Sequence, residues 1–298
     1  MGILNDSPAP ARTTTAAIPR LAVLRVRISW GMALFYAALV VGAVLFLVPF
    51  LWMILASFKT AQEIVQVPPM LWPVHPTLAN YGTVLSMMPL GTFYRNSLTV
   101  TTSVTLSVLF TSSLAGDIFA KFQFFGRNVL FVLILSTLMI PFQVVLIPTY
   151  MIVNALGLLN TLGALIVPSL VNVFGIFLMR QYIENLPSEY IDAARIDGAS
   201  EWGIYSRVIL PQIRPALAAL AIFTFMASWN DYLWPLIVIN DQDKMTLPLA
   251  LAFFNSAHGI RYDLTLTAAT LVVIPVVIVF LILQRQFIQG IALTGLKA

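Results

Sequence analysis

The residues of this chain whose types and spacing bear on chemistry gather in residues 189–215, EYIDAARIDGASEWGIYSRVILPQIRP, a polar island between two long apolar segments. Glu189, Asp192 and Asp197 alternate there with Ala193, Ala194 and Gly198, a pattern that suits contact rather than catalysis. No His-rich, Ser-His or paired-carboxylate constellation occurs at membrane depth. His75 and His258 stand alone, and the scattered methionines, Met139 and Met226 among them, suit packing, so no metal site is expected. Cysteine is absent, which excludes disulfides, Cys-ligated zinc and thiol catalysis. No G-x-x-x-x-G-K-[ST] occurs either, so the chain has no loop to cradle ATP phosphates and any ATP-derived energy must come from another polypeptide.

Local signals give the island a shape. Leu186-Pro187-Ser188 starts a helix, with proline tolerated in the first turn, and Glu189 and Asp192 complement the positive end of its dipole. Spacing puts Ala194 and Gly198 on one side, where small residues let another protein approach the backbone. Gly198 is free to take the left-handed conformation that ends a helix, Ser200 can cap the next segment, and Pro211 and Pro215 suit the start of another helix. The expectation is two short helices at an angle, joined to membrane helices that can transmit a push. An ordinary solvated loop with helix caps would carry the same signals.

A second group, Trp229, Asn230 and Asp231 with Tyr232 and Trp234, combines aromatic faces with polar edges. A carboxylate at membrane depth is costly and often functional, which makes Asp231 a pathway or gate candidate. The competing reading sets it near an aqueous interface, where Trp and Tyr are common.

The elements that hold these residues are membrane spans. Of 298 residues, 59% are hydrophobic and 9% charged, and mean hydropathy is +0.91, far from a soluble domain. That length accommodates an all-α integral membrane protein of six transmembrane helices with no separate soluble domain. A tail at 1–29 is followed by a first span at 30–58 and a proline-rich loop at 59–93. A transmembrane core follows at 94–287, with most of the island in a loop at 183–213, and a tail at 288–298 closes the chain. Within the core, spans are expected near 94–115, twice between 128 and 179 with a break at 154–160, at 216–239 and at 264–283. Pro141, Pro148 and Pro168 predict kinks.

With the N-terminus inside, the inner segments hold Arg12, Arg20, Arg25, Arg27, Lys121, Arg127, Arg180, Arg195, Arg207, Arg214, Arg285 and Lys297. Only Lys59, Arg95, Lys244 and Arg261 lie outside, a bias that puts both termini and the island in the cytoplasm. Lipid is one partner; nucleic-acid binding has no support beyond the modest net positive charge.

AARIDGA, followed after a short interval by ILP at Ile209, Leu210 and Pro211, resembles the cytoplasmic coupling loop, or EAA loop, of ATP-binding-cassette importer permeases. Asp192 stands where that motif has Glu and keeps the carboxylate. The resemblance extends to the carbohydrate-uptake branch and its smaller, maltose-type six-span subunit, through FTFMASWNDYLWPL at 223–236, TLPLAL at 246–251, QRQFIQG at 284–290 and the terminal TGLKA. Two departures fall at Asp117 and Phe125, where the family usually has an aromatic residue and a proline. An Asp117–Lys121 pair is expected to accommodate the first.

The resemblance implies a type I ABC importer permease in a bacterial or archaeal cell membrane. It implies a complex with a second homologous permease, two ATPase subunits that bind ATP and Mg²⁺, and an extracytoplasmic solute-binding protein, with no cofactor in this chain. The cargo implied is a sugar or oligosaccharide; glycerol phosphate or another polyol is the alternative. Because the 223–236 pattern is family-wide, it favours a structural or gating role for Asp231 over recognition of individual sugars. A stand-alone secondary transporter is the rival class, and the scarcity of mid-span ionisable residues argues against it.

Overall fold

Prolines and glycines decide where the helices of this chain break. The computed structural model describes residues 30–258 and 261–295, with residues 255–258 and 283–295 described in backbone only. The expected tail at 1–29 and the terminal 296–298 lie outside the described residues, and so do the side chains of His258 and of the QRQFIQG segment. All regular structure among the described residues is helical.

Residues up to Pro49 and residues from Phe50 onward form two units. The first contains most of α1 (Trp30–Ala56), an uncharged helix of 27 residues, about 40 Å at 1.5 Å per residue and enough to cross a bilayer.

In the second unit the chain leaves α1 through an irregular segment whose one helical turn is α2 (Ala61–Ile64), because Pro68, Pro69, Pro73 and Pro76 forbid a longer one. After α3 (Ala79–Met87), Pro89 precedes α4 (Leu90–Lys121), whose 32 residues overrun the expected 94–115 at both ends. Its hydroxyls are used both within the helix and between helices: Thr111 Oγ1 donates to Ser107 O at 2.8 Å, and Ser107 Oγ donates to Leu170 O at 3.0 Å.

At Pro141 the structure departs from a kinked span. The helices α5 (Arg127–Ser136) and α6 (Phe142–Ala155) belong to segments that meet at 102°. Ile140, the residue before the proline, is extended at φ −89° and ψ 113°, as the proline ring requires, so the helix stops there. The turn expected at 154–160 is present, with Gly157 at φ 68° and Asn160 at φ 60°.

Next come α7 (Leu162–Ile166) and α8 (Val173–Glu184), the latter capped by Asn172 Oδ1 accepting from Gly175 N–H at 2.8 Å. The polar island supplies α9 (Glu189–Ile196), α10 (Glu201–Ile204) and α11 (Leu210–Gln212), and leads into α12 (Arg214–Trp229). The expected fifth span is divided at residues 230–232, with α13 (Leu233–Val238) beyond the break. The helices α14 (Leu247–His258) and α15 (Tyr262–Gly295) complete the chain. Four helical segments are long and apolar enough to cross a membrane, and six spans result if each of two bent pairs counts as one.

The core is built where α4 meets α8 and α12, with α15 against α12. Gly116 and Gly175 make the α4–α8 crossing possible. A Cβ on Gly116 would lie 2.5 Å from Met179 Cβ, and one on Gly175 would lie 2.4 Å from Ser112 Oγ. Ser112 and Gly116 are four residues apart and therefore on one face, the small-xxx-small spacing of close-packed membrane helices. Val100, Val104, Val108, Met179 and Leu220 fill the space around them and are buried.

Candidate coupling surface and central cavity

The polar island folds into two short helical segments separated at Gly198. The helix α9 ends in a left-handed residue, Gly198 at φ 77°, with Ala199 N–H donating to Ala194 O and Gly198 N–H to Arg195 O, both at 3.0 Å. This pair of bonds satisfies carbonyls that a helix end leaves open. Ser200 Oγ then accepts from Gly203 N–H at 3.2 Å and starts α10. Across the turn, Arg195 binds both carboxylate oxygens of Glu201 at 2.9 and 3.2 Å, with Asp192 at 3.7 Å. The hydrogen bond to Glu201 pushes the Arg195 guanidinium above its ordinary pKa, and the charges of Glu201, Asp192 and Asp117 act in the same direction. This exposed ion pair bridges the two helical segments, whose shared packing comes from their buried inner face.

The inner face of this piece grips the bundle. Ile191, Ile204, Tyr205, Ile209 and Ile213 are buried, and Ala194 packs against the same core. The small-residue side is thus divided: Ala194 serves the protein's own packing, and Ala193 and Gly198 face outward. Glu189, Asp192 and Asp197 are exposed, Leu210 is partly buried and Pro211 is exposed. Sequence patterning missed three large apolar side chains that also face outward, Tyr190, Ile196 and Trp202, exposed by 57%, 87% and 60%. Their signal was present, since apolar residues in a polar loop that do not fit the inward period have nothing of their own chain to cover them.

Two bonds tie the loop at 183–213 to α4. Lys121 Nζ donates to Leu186 O at 2.7 Å, and the Tyr205 and Ser113 hydroxyls are 2.7 Å apart in a buried position. Tyr205 opens a single π-helical turn, Tyr205–Ile209, an irregularity that turns its ring toward α4. The expected Asp117–Lys121 pair does not form. Lys121 is drawn away by the Leu186 carbonyl, and Asp117 is 5% exposed with no hydrogen-bond partner for Oδ1 among the described residues.

From the island the chain turns by 77° into α12, with Pro215 in its first turn. The helix has 16 residues, about 24 Å in length, and its far end carries the second group of candidate residues. These separate. Trp229 is a core residue, 1% exposed and stacked on Phe225 at 5.6 Å. Asn230 turns back, its amide donating to Met226 O at 2.8 Å. Asp231 and Trp234 line a cavity of about 410 Å³, where Ser169, Asn172, Thr224, Ser228 and Thr246 supply further polar groups among apolar side chains such as Val104 and Leu165. Asp231 itself lies in the break before α13, its backbone N–H donating to Ser228 O at 3.4 Å. Trp234 Nε1 donates to Ala164 O at 2.9 Å and fixes one wall of the cavity. Asn172, Ser169 and Thr246 were not legible as cavity residues because three distant segments meet only in the fold.

Long apolar helices, a cavity with both polar and apolar walls and a polar loop at one end suit a membrane transport subunit. Residues 107–293 match the family described as binding-protein-dependent transport system inner membrane component, and the chain belongs to that family. It is 37% identical over 273 residues to the arabinooligosaccharides transport system permease protein AraQ of Halalkalibacterium halodurans, covering 91% of this chain and 97% of that protein. It is 34% identical to the lactose transport system permease protein LacG of Rhizobium radiobacter (86% and 93% covered). To the sn-glycerol-3-phosphate transport system permease protein UgpE of Yersinia enterocolitica it is 31% identical (88% and 96% covered). A chain from the crystal structure of a bacterial ABC transporter involved in the import of the acidic polysaccharide alginate superposes with a TM-score of 0.78, over 87% of this chain and 98% of that one, at 24% identity. The fold is that of a type I ABC importer permease. The chain is the non-catalytic, integral inner-membrane component of an importer that works with ATPase and binding-protein partners.

Proposed function

We propose that this permease carries a sugar or oligosaccharide, delivered by an extracytoplasmic solute-binding protein, by alternating access driven by ATP hydrolysis in partner subunits. The observation that carries the reading is the match, over almost the whole of each chain, to permeases named for arabinooligosaccharides and lactose. The hydroxyl and amide groups set among the mostly apolar walls of the cavity support it, since such a mixture suits a polyhydroxylated cargo with apolar ring faces.

The complex is a heteromer of this chain, a second homologous permease and two ATPases that bind ATP and Mg²⁺. The N- and C-termini and the coupling loop at 183–213 are cytoplasmic. Ala193, Gly198 and the exposed carboxylates Glu189, Asp192 and Asp197 face the ATPase. Ile209, Leu210 and Pro211 join that contact to α12, which carries the movement some 24 Å to Asp231 and the cavity. Asp231 serves as a gate group, set in the α12–α13 break while it lines the path. ATP and the loaded binding protein bias the two access states by their different affinities for each.

Proteoliposomes containing the full complex, supplied with ATP and the loaded cognate binding protein, are expected to accumulate the saccharide that the binding protein retains on purification. Retention and uptake of a phosphorylated polyol instead would establish the second reading, which the 31% identity to the glycerol-3-phosphate permease favours. Uptake by this chain alone, driven by an ion gradient, would overturn both.

A further inference from the structure

We infer that residues 65–74 form a lipid-contacting anchor at the end of the bundle opposite the coupling loop. No Asp, Glu, Lys or Arg occurs from residue 64 to residue 94, although most of this stretch links two spans outside any long helix. The two charged residues just before it are turned away from its surface. Lys59 is 2% exposed, its ammonium taken up by the Met70 carbonyl and the Trp52 ring. Glu63 accepts from His75 N–H at 2.9 Å through Oε1, and its Oε2 is buried. These bonds fold the segment back on itself and leave an uncharged exterior in which Gln66 is the one polar side chain: Val65, Val67, Leu71, Trp72 and Val74 are exposed by 65%, 88%, 48%, 68% and 55%.

The depth of the segment follows from its base. Ser57 O accepts from Asn80 Nδ2 at 3.0 Å and from Thr267 Oγ1 at 3.2 Å, and Thr267 Oγ1 also reaches Asp263 O one turn earlier in α15. Asp263 pairs with Arg261 at 2.7 Å, the ion pair at which α15 begins. The base therefore lies about one helical turn, roughly 5 Å, from the first charges of a membrane span, at the boundary between hydrocarbon and water. A tryptophan among aliphatic side chains at that level suits the lipid interface, where an amphipathic ring sits at the headgroups and apolar neighbours dip below them. The surface offers no charge by which a water-soluble partner would be steered to it.

Because the chain lacks cysteine, single cysteines report without background. The test uses the complete transporter in lipid nanodiscs without binding protein, with an environment-sensitive fluorophore on Val67→Cys or, as an independent site, Leu71→Cys. The same probe on Gln242→Cys, in the exposed charged loop, is the reference. Lipids carrying a spin label near the headgroup are expected to remove most of the emission from 67 and 71 and little from 242, while iodide does the reverse, and adding the loaded binding protein leaves 67 and 71 unchanged. Quenching of 67 and 71 by iodide with none by the spin-labelled lipid would overturn the proposal. So would shielding that arises only when the binding protein is added, which would make the segment a protein-docking surface, or shielding from both quenchers throughout, which would assign it to a neighbouring subunit.

Discussion

Gly198 holds φ 77° between the two halves of the coupling loop, a conformation that costs a residue with a Cβ about 1–2 kcal/mol and that Asn tolerates far better than a β-branched residue. No heavy atom lies within 4 Å of where its Cβ would be, so backbone conformation and not packing governs substitution within this chain. Gly198→Val is therefore expected to lower ATPase co-purification and uptake while membrane insertion is unchanged, and Gly198→Asn to retain most of both. Equal behaviour of the two variants would remove the turn from the account. At Asp117 the expectation runs the other way. A buried carboxylate oxygen without a partner is destabilising, so Asp117→Asn should leave thermal stability in detergent unchanged or raise it, by about 1 kcal/mol, read as an unfolding midpoint. Residue-level reading succeeded at Gly198, Ser200 and Pro215, where local backbone chemistry alone dictates conformation; Pro211, expected at the start of the next membrane helix, instead sits in the helix that ends at Gln212, before the turn into α12. The surroundings of Asp117 and Trp229 come from distant segments and were not legible.

At the scale of elements, the α4–α8 crossing and the α12 connection carry the account. Gly175→Val would put a side chain against Ser112 and Leu220, and overpacking of this kind costs about 1–3 kcal/mol or more. The yield of folded protein in size-exclusion chromatography should fall sharply, with Gly175→Ala intermediate. Tyr205→Phe removes the buried bond to Ser113 at a cost of about 1 kcal/mol. The expected signature is ATP hydrolysis without matching uptake, measured as the ratio of the two in proteoliposomes, because the loop then stays docked but slips against α4. Element existence was legible from uncharged apolar runs. The sharp breaks at Pro141 and at residues 230–232 were not, because a proline or a short polar group in an apolar run is compatible with a kink, and the neighbours that receive the freed backbone groups decide the angle. The Ser112-x-x-x-Gly116 spacing was visible in the sequence; that α8 is what approaches it was not.

For the molecule as a whole, the proposed mechanism makes the loop, α12 and the cavity one mechanical line from one end of the bundle to its interior. Asp231→Asn tests the far end of that line: uptake should fall while the heteromer still assembles, and unchanged uptake with unchanged assembly would reduce Asp231 to an interface residue. The near end tests the central claim most directly. A photo-crosslinking amino acid at Ile196, 87% exposed on the outer face of the loop, in the complete transporter with Gln242 substituted in parallel, reports which protein covers that face. The account predicts a crosslink from position 196 to the ATPase subunit whose yield changes when ATP is trapped, and none from position 242. Failure of position 196 to crosslink to the ATPase, or ATPase crosslinks arising from position 242 instead, would contradict it.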